Sequence, residues 1–449
     1  MAQFNSANSS FQTHNKTLFE VNQIATIDGN VVTTSNPFPV TVGGGSGGIN
    51  TPVTVNFGGT TVDAFGRLRA SDQYTIFDST LRYTDDTRNW DNSITGSANT
   101  EHNANSSSTY MNVGTSSGDK VIRQTKRYFQ YQPGKSLLSI NTFTMQPKTN
   151  VRQRIGYFND YNGIYLEHDG TNLYIVKRSY STGVLAEVRK VQSEWSEDTL
   201  LNGSGPSGKT LSIDKVQIWW TDIEWLGAGT VRVGFIIDGE YIVAHKFHHA
   251  NIGTSTYMTT ASLPIRYEIE NTDDTASPTS LEHICNSIIS EGGYTPKVIT
   301  RAVSTALAGL PMSTTTFRPL IAIRLKSSRP GGIVVPSFAD IYGLQTTPFN
   351  YKIIANATIT GGTWVSSSNE SHVEYNITAT DVSGGNNLLQ GMFIGGTYVL
   401  PSKINFKEFN SSYQLRTRID GTSETFVIAA IATTNNDDAL ASLAWEEFN

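Results

Sequence analysis

Asp-Gly dipeptides set between β-prone runs constrain this chain more than any other feature. Gly163-Ile164-Tyr165-Leu166-Glu167-His168 meets Asp169-Gly170, and Leu173-Tyr174-Ile175-Val176 follows. Val231-Arg232-Val233-Gly234-Phe235-Ile236-Ile237 meets Asp238-Gly239, then Tyr241-Ile242-Val243-Ala244. A two-residue hairpin turn needs positive φ at both positions, which Asp-Gly tolerates better than most pairs. In Val216-Gln217-Ile218-Trp219-Trp220-Thr221 successive side chains point to opposite faces, so both faces of that strand carry an indole. The alternation is read here as placing Trp220 and Phe235 inward. Residues 318–325 and 351–359 read as further strands, Val373-Glu374-Tyr375-Asn376-Ile377-Thr378 alternates, and residues 415–419 run into another Asp-Gly, Asp420-Gly421. Helix signals are scarce. Residues 438–448 are the best candidate, with Leu440, Leu443 and Ala444 on one face, and residues 195–201 suit one short turn. The expected fold class is all-β: β-sandwich or jelly-roll domains with an extended N-terminal arm. No fixed-period repeat is visible.

The chain has 449 residues, enough for about two to four domains. Three zones differ in texture. Residues 1–62 hold short β-prone pieces such as Val40-Thr41-Val42 and Val53-Thr54-Val55 around the tract Gly43-Gly44-Gly45-Ser46-Gly47-Gly48. They carry too little apolar mass for a core. A disordered tail and a Gly-rich attachment arm that orders by pairing with another chain are both open, and the arm is favoured. Residues 63–300 hold most aromatics and read as the main β-sandwich domain; residues 301–449 read as a C-terminal β domain.

Charged residues are only 16% of the chain, against roughly 25% in a typical soluble domain. Net charge is −6 and aromatics are 10%, so a folded body with a neutral, polar surface is expected. A pI near 5.8 argues against a general nucleic-acid binder. The single cysteine, Cys285, excludes an intrachain disulfide framework and a multi-Cys zinc site. No apolar run approaches the roughly 18 residues of a membrane span. Residues 1–10 lack the parts of a signal peptide, so synthesis in a cytoplasm is expected.

Gly203-Ser204-Gly205-Pro206-Ser207-Gly208-Lys209-Thr210 matches the P-loop pattern. That mechanism needs a strand before the loop and a helix after it. Here Leu211-Ser212-Ile213-Asp214-Lys215 and a strand follow, which favours a surface loop. His245 and His249 have the spacing of a helical zinc pair, with His248 beside them, but they lie in or beside strand sequence and no Glu follows His245. On a strand His283 and Cys285 share a face, roughly 6–7 Å apart and too far for a thiolate pair; a buried, inert cysteine is expected. Asp85-Asp86 and Asp273-Asp274 read as solvated turns, with calcium as the next alternative, and the separation that glycoside hydrolysis requires is not legible in sequence. The segment from Arg123 through Lys126, Arg127, Tyr128 and Phe129 to Tyr131 reads as buried rings with snorkelling cations rather than a base-stacking platform. No catalytic, cofactor or metal residue is assigned.

Several segments carry a resemblance together. They are Val62-Asp63-Ala64-Phe65-Gly66-Arg67-Leu68-Arg69-Ala70, Tyr74-Thr75-Ile76-Phe77-Asp78-Ser79, the run from Arg123 to Ser136, Asp222-Ile223-Glu224-Trp225-Leu226-Gly227-Ala228-Gly229-Thr230-Val231-Arg232, Tyr257-Met258-Thr259-Thr260, Leu263-Pro264-Ile265-Arg266-Tyr267-Glu268-Ile269 and Ser290-Glu291-Gly292-Gly293-Tyr294. In this order they resemble a family of virion structural proteins of tailed bacteriophages, mainly of marine hosts. The resemblance covers roughly residues 62–295 and transfers no catalytic or ligand residue. It implies a β-rich component of the virion, made in the host cytoplasm.

The leading expectation is therefore a non-enzymatic structural component of a phage particle: fibre, spike, tail- or neck-attached, or head-decorating. It would assemble with other virion proteins and with itself, a trimer being favoured. The alternative is a carbohydrate-binding receptor reader for a host surface glycan, using exposed aromatics such as Trp364. A glycan depolymerase is the third reading, disfavoured because no long repetitive β-helix pattern is present. No cofactor, nucleic acid or membrane span is expected.

Overall fold

The computed structural model describes residues 71–396, 401–406, 413–435 and 437–448. The proposed arm, residues 1–62, lies outside them. The described residues are all-β; their one helical element is the 3₁₀ turn Gln192–Glu194. No helix among them is long and apolar enough to cross a membrane.

The first sandwich packs an eight-stranded antiparallel sheet on a seven-stranded one. The larger sheet runs Glu240–Phe247, Val231–Ile237, Gln217–Ile223, Ser136–Met145, Thr279–Glu291, Ser108–Val113, Asn99–Asn103, with Gln73–Thr80 also paired to Thr279–Glu291. The smaller runs Ala186–Val191, Leu173–Ser179, Gly163–His168, Val151–Phe158, Ile265–Asn271, Lys120–Thr125, Trp90–Thr95. Their inner faces share one core, with Met111, Phe143, Trp219 and Phe235 from one sheet and Val121, Ile155, Ile164 and Tyr267 from the other.

Asp238-Gly239 makes the expected two-residue turn, with φ of 55° and 80°. Asp169 does not: the turn spans four residues, closed by the Asp169 amide on the Asn172 carbonyl, and only Gly170 has positive φ. The indole assignment needs correcting. Trp219 lies opposite Phe235 and belongs to the core. Trp220 sits on the other face of the sheet, where it packs on Tyr241 and its indole N–H donates to the Phe235 carbonyl.

The second sandwich opens with Val298–Ser304, slightly before the expected boundary. Its five-stranded sheet runs Val298–Ser304, Asp438–Phe448, Ile333–Gly343, Ser402–Asn405, with Leu310–Pro311 at the end of Asp438–Phe448. Its six-stranded sheet runs Val365–Ser366, Val373–Asn376, Arg318–Leu325, Phe426–Ala432, Pro348–Ala355, Asn386–Ile394. Phe426–Ala432 is apolar throughout because Phe426, Ile428 and Ala430 face the main core while Val427 and Ala429 face a smaller cluster on the outer side. The strand expected over 351–359 breaks at Asn356, whose φ is 55°, and Ile359 folds back over that outer cluster.

Asp438–Phe448 is a strand and not a helix. Ala439, Ala441, Leu443 and Trp445 alternate inward at period 2, and strands pair on both sides. Helix propensity is a weak prior that tertiary pairing overrides. Residues 195–201 form no helical turn, and residues 415–419 form only a bridge at Thr417.

Gln73–Asn449 is one compact unit. The segment after strand Lys120–Thr125 locks the sandwiches together. The Lys126 ammonium meets the buried Glu424 carboxylate at 2.8 Å. Arg127 Nε donates to Gln414 Oε1 at 3.2 Å, and Gln414 Nε2 donates to the Tyr128 carbonyl at 3.0 Å. The Ile419 amide donates to Asp91 Oδ2 at 2.9 Å.

Candidate functional site

A cleft of about 860 Å³ opens between the two sandwiches. One wall rests on the turn between strands Val151–Phe158 and Gly163–His168. Asn159 Oδ1 accepts the amides of Tyr161 and Asn162 at 2.9 and 2.8 Å, an Asx turn that lifts Tyr161 outward. Asn162 Oδ1 in turn accepts the amides of Tyr180 and Thr259. Tyr161 and Tyr180, 56% and 38% exposed, meet edge-on with ring centroids 5.1 Å apart.

Below them lies Arg266, buried to 3% exposure. It bonds Asp160 at 2.9 Å, Glu268 at 2.5 Å and Gln124 Oε1 at 3.3 Å. Burial would raise the Glu268 pKa, but Arg266 and Arg154 outweigh it and hold the carboxyl at about 2. Arg266 and Glu268 belong to a charged lattice across the outer face of the seven-stranded sheet, with Glu268, Arg154 and Glu167 on successive strands and Arg189 reaching Glu167 across the intervening Leu173–Ser179. The opposite wall comes from the second sandwich: the Pro330-Gly331-Gly332 loop, whose Gly331 lies against the Tyr128 ring, and the loop bearing Arg418 and Asp420. Hydrogen bonding from the Thr422 amide keeps the Asp420 carboxyl below its ordinary range. A concave site of this size, with rings and a few convergent polar groups, suits a small polar ligand with an apolar face.

The residues singled out in the sequence are not brought together here. The P-loop-like segment is a loop whose amides face the chain's own carboxylate: Asp198 Oδ2 accepts the Ser207 amide at 2.8 Å. A Cβ on Gly205 would strike that carboxylate. Lys209 pairs with Asp238, and strand Gln217–Ile223 follows instead of a helix. His245 Nδ1 accepts the Ser196 amide at 3.0 Å, and burial, with Lys190 nearby, pulls its pKa down to about 4. His249 stacks on Tyr257 at 3.8 Å and contacts Lys177 Nζ, while His248 faces Thr230 Oγ1. Among the described residues no group of three His, Cys, Asp or Glu is placed to hold a metal.

A bulge between His283 and Cys285 overturns their shared face: His283 pairs with Phe143 toward the core, and Cys285 with Thr142 on the other side, where it is only partly buried. The Asp273-Asp274 turn is pinned by the Ser117 amide on Asp274 Oδ1, and Asp86 accepts Asn89 Nδ2. Arg123 does not snorkel. It is fully buried and donates to His283 Nδ1, Asn92 Oδ1 and the Asp85 carbonyl. Trp364 is half-buried, with the Arg324 guanidinium 4.0 Å from its ring, so it presents no open platform. Sequence reasoning missed Tyr161 and Tyr180. The signal was an aromatic residue centred in the turn sequence Asn159-Asp160-Tyr161-Asn162-Gly163.

No family model and no curated protein matches the chain. Solved structures do. A Bacillus licheniformis β-glucanase is similar at 11% identity, covering 50% of this chain and 99% of its own, with TM-score 0.32. A glycosyl hydrolases (GH) family protein 16 from Mycobacterium smegmatis is similar at 8% identity over 48% of this chain and 100% of its own, TM-score 0.34. Peanut lectin is similar at 9% identity over 50% of this chain and 100% of its own, TM-score 0.30.

Proposed function

We propose that the chain is a non-enzymatic structural component of a tailed-bacteriophage particle that assembles with itself and with other virion proteins. The observation that carries this reading is where the family-like segments meet. The Tyr74 ring stacks on Tyr294 at 5.2 Å, and Tyr294 O–H donates to Gln130 Oε1. Lys135 Nζ donates to the Gly293 carbonyl, and the Phe129 amide to the Leu263 carbonyl. Tyr131 O–H accepts the amides of Trp225 and Leu226. Segments far apart in sequence thus converge beside Lys126 and Arg127, where the sandwiches are locked. Residues used in this way support a scaffold rather than a reaction. The cleft supports the same conclusion. Asp160 is paired with Arg266 and Asp420 is held ionised, whereas glycoside hydrolysis needs one carboxyl kept protonated.

The test is incorporation. A chain lacking residues 1–60 is added to a particle-assembly reaction and its occupancy measured by gel and microscopy. The body should fold and occupancy should be lost; normal occupancy would place the attachment surface on the body.

A second reading, recognition of a host glycan, is favoured by one feature: the exposed Tyr161–Tyr180 pair above amide and guanidinium groups. Such rings offer apolar faces to sugar C–H groups. Screening the purified chain on a glycan array, then repeating with Tyr161→Ala, tests it. Loss of the signal with the fold intact supports recognition, and no signal above background removes this reading.

A further inference from the structure

A second cavity, about 530 Å³, lies elsewhere between the sandwiches. Three arginines line it: Arg88, Arg127 and Arg416. None of them forms an ion pair among the described residues. Arg127 has one side-chain partner, the neutral Gln414. Its guanidinium lies 5.9 Å from the Phe77 and Phe129 rings. Burial, with Arg416 adding repulsion, pulls its pKa down to about 10. Arg416 is 7% exposed and donates one bond to the Arg88 carbonyl, and its Nε has no partner among the described residues. Tyr413 also lines the cavity, and its buried hydroxyl has no partner among the described residues either. Among the described residues the one carboxylate in the lining is the exposed Asp78, and nearby Glu424 is engaged by Lys126.

Uncompensated buried charge is expensive, and arginine cannot discharge by losing its proton. Apart from Asn89, the remaining described lining is apolar, with Phe77, Phe406, Phe426, Ile353 and Pro336. We propose that this cavity binds a small organic acid, its carboxylate held by Arg127, Arg416 and the Tyr413 hydroxyl and its apolar body packed on Phe77, Phe406 and Phe426. Carboxylate–guanidinium bonds are the strong class of hydrogen bond, and the phenylalanines favour an organic acid over a bare inorganic anion. The inference is independent of the particle reading.

The test is calorimetric titration of the full chain with benzoate at fixed ionic strength, with neutral benzamide and inorganic phosphate as comparison probes. One benzoate should bind per chain, benzamide and phosphate should each bind about tenfold more weakly or worse, and Arg416→Met should weaken benzoate by about tenfold or more. Should that variant fail to fold, Asp78→Asn at an exposed position serves instead: removing a like charge should tighten benzoate binding. Benzoate binding no better than benzamide, phosphate binding as tightly as benzoate, or affinity unchanged in whichever variant folds would each overturn the proposal.

Discussion

The two sandwiches are close in layout and differ in what fills them. Inside the first, a polar chain runs through the core. Arg123 Nε donates to His283 Nδ1, which leaves His283 Nε2–H to donate to Asn286 Oδ1. Asn286 Nδ2 donates to the Tyr267 hydroxyl and to Asn141 Oδ1. Trp90 packs on both His283 and Tyr267. The second sandwich has an aliphatic centre of Leu320, Ile321, Ile353, Ile428 and Leu443, with small Ala339, Ala430 and Ala441. One of its buried charges sits toward the end of a strand, where Glu447 meets Arg301, Ser371 and the Trp445 indole. A buried polar chain holds only if every member is satisfied, so it fixes one arrangement and fails as a unit. An aliphatic core responds in proportion to the volume removed.

The largest effect expected from this contrast comes from Arg123→Met. It leaves acceptors on His283, Asn92 and Asp85 without a donor, at roughly 1–3 kcal/mol each, for a loss of about 3–5 kcal/mol in chemical denaturation. Adding His283→Leu should recover part of that loss. In the second sandwich Leu443→Ala should cost about 2–5 kcal/mol as a simple cavity, with no second-site recovery of this kind. Equal recovery in both would erase the distinction.

The two indoles sharpen it within one strand. Trp219→Ala removes a ring from the closed core and should cost about 3–5 kcal/mol. Trp220→Ala removes one from the outer face and should cost about 1.5–3 kcal/mol, the transfer contribution without an enclosed void. The reverse order would mean that the strand register is wrong.

Acid should separate the sandwiches. Burial, then the Arg123 charge, pushes His283 well below its ordinary value, and His245 is held at about 4. Below roughly pH 6.5 the unfolded chain gains protons that these folded sites refuse. Their contribution is therefore whole above that pH and lost as pH falls toward 4. Hydrogen exchange should show the first sandwich loosening in this window before the second. His245→Gln keeps an acceptor for the Ser196 amide and should blunt the slope. Equal loosening of the two would show that other groups govern the acid response.

The smallest effect belongs to the P-loop-like segment. Lys209→Ala breaks an exposed ion pair with Asp238 and should leave the denaturation midpoint unchanged. Calorimetry of wild type with ATP should show no binding; micromolar affinity would overturn the surface-loop reading.

Short-range physics was legible in the sequence. Asp238-Gly239 demanded positive φ twice and so a hairpin, and the β-prone run over residues 318–325 marked a strand that the structure reproduces. These signals made the chain all-β before any contact was known. In Asp438–Phe448 the period-2 signal was present, but small alanines carried it and their helix propensity obscured it. What remained depended on partners distant in the chain. Alternation gave Trp219 and Trp220 opposite faces, but only the facing sheet decided which face was inside. One bulge moved Cys285 away from His283. Arg123 could be buried only because Asp85, Asn92 and His283 arrive from other strands. Tyr161, Tyr180 and the arginines of the second cavity gain their setting where two sandwiches meet. Periodicity records how side chains alternate along a strand; long-range pairing decides what each of them faces.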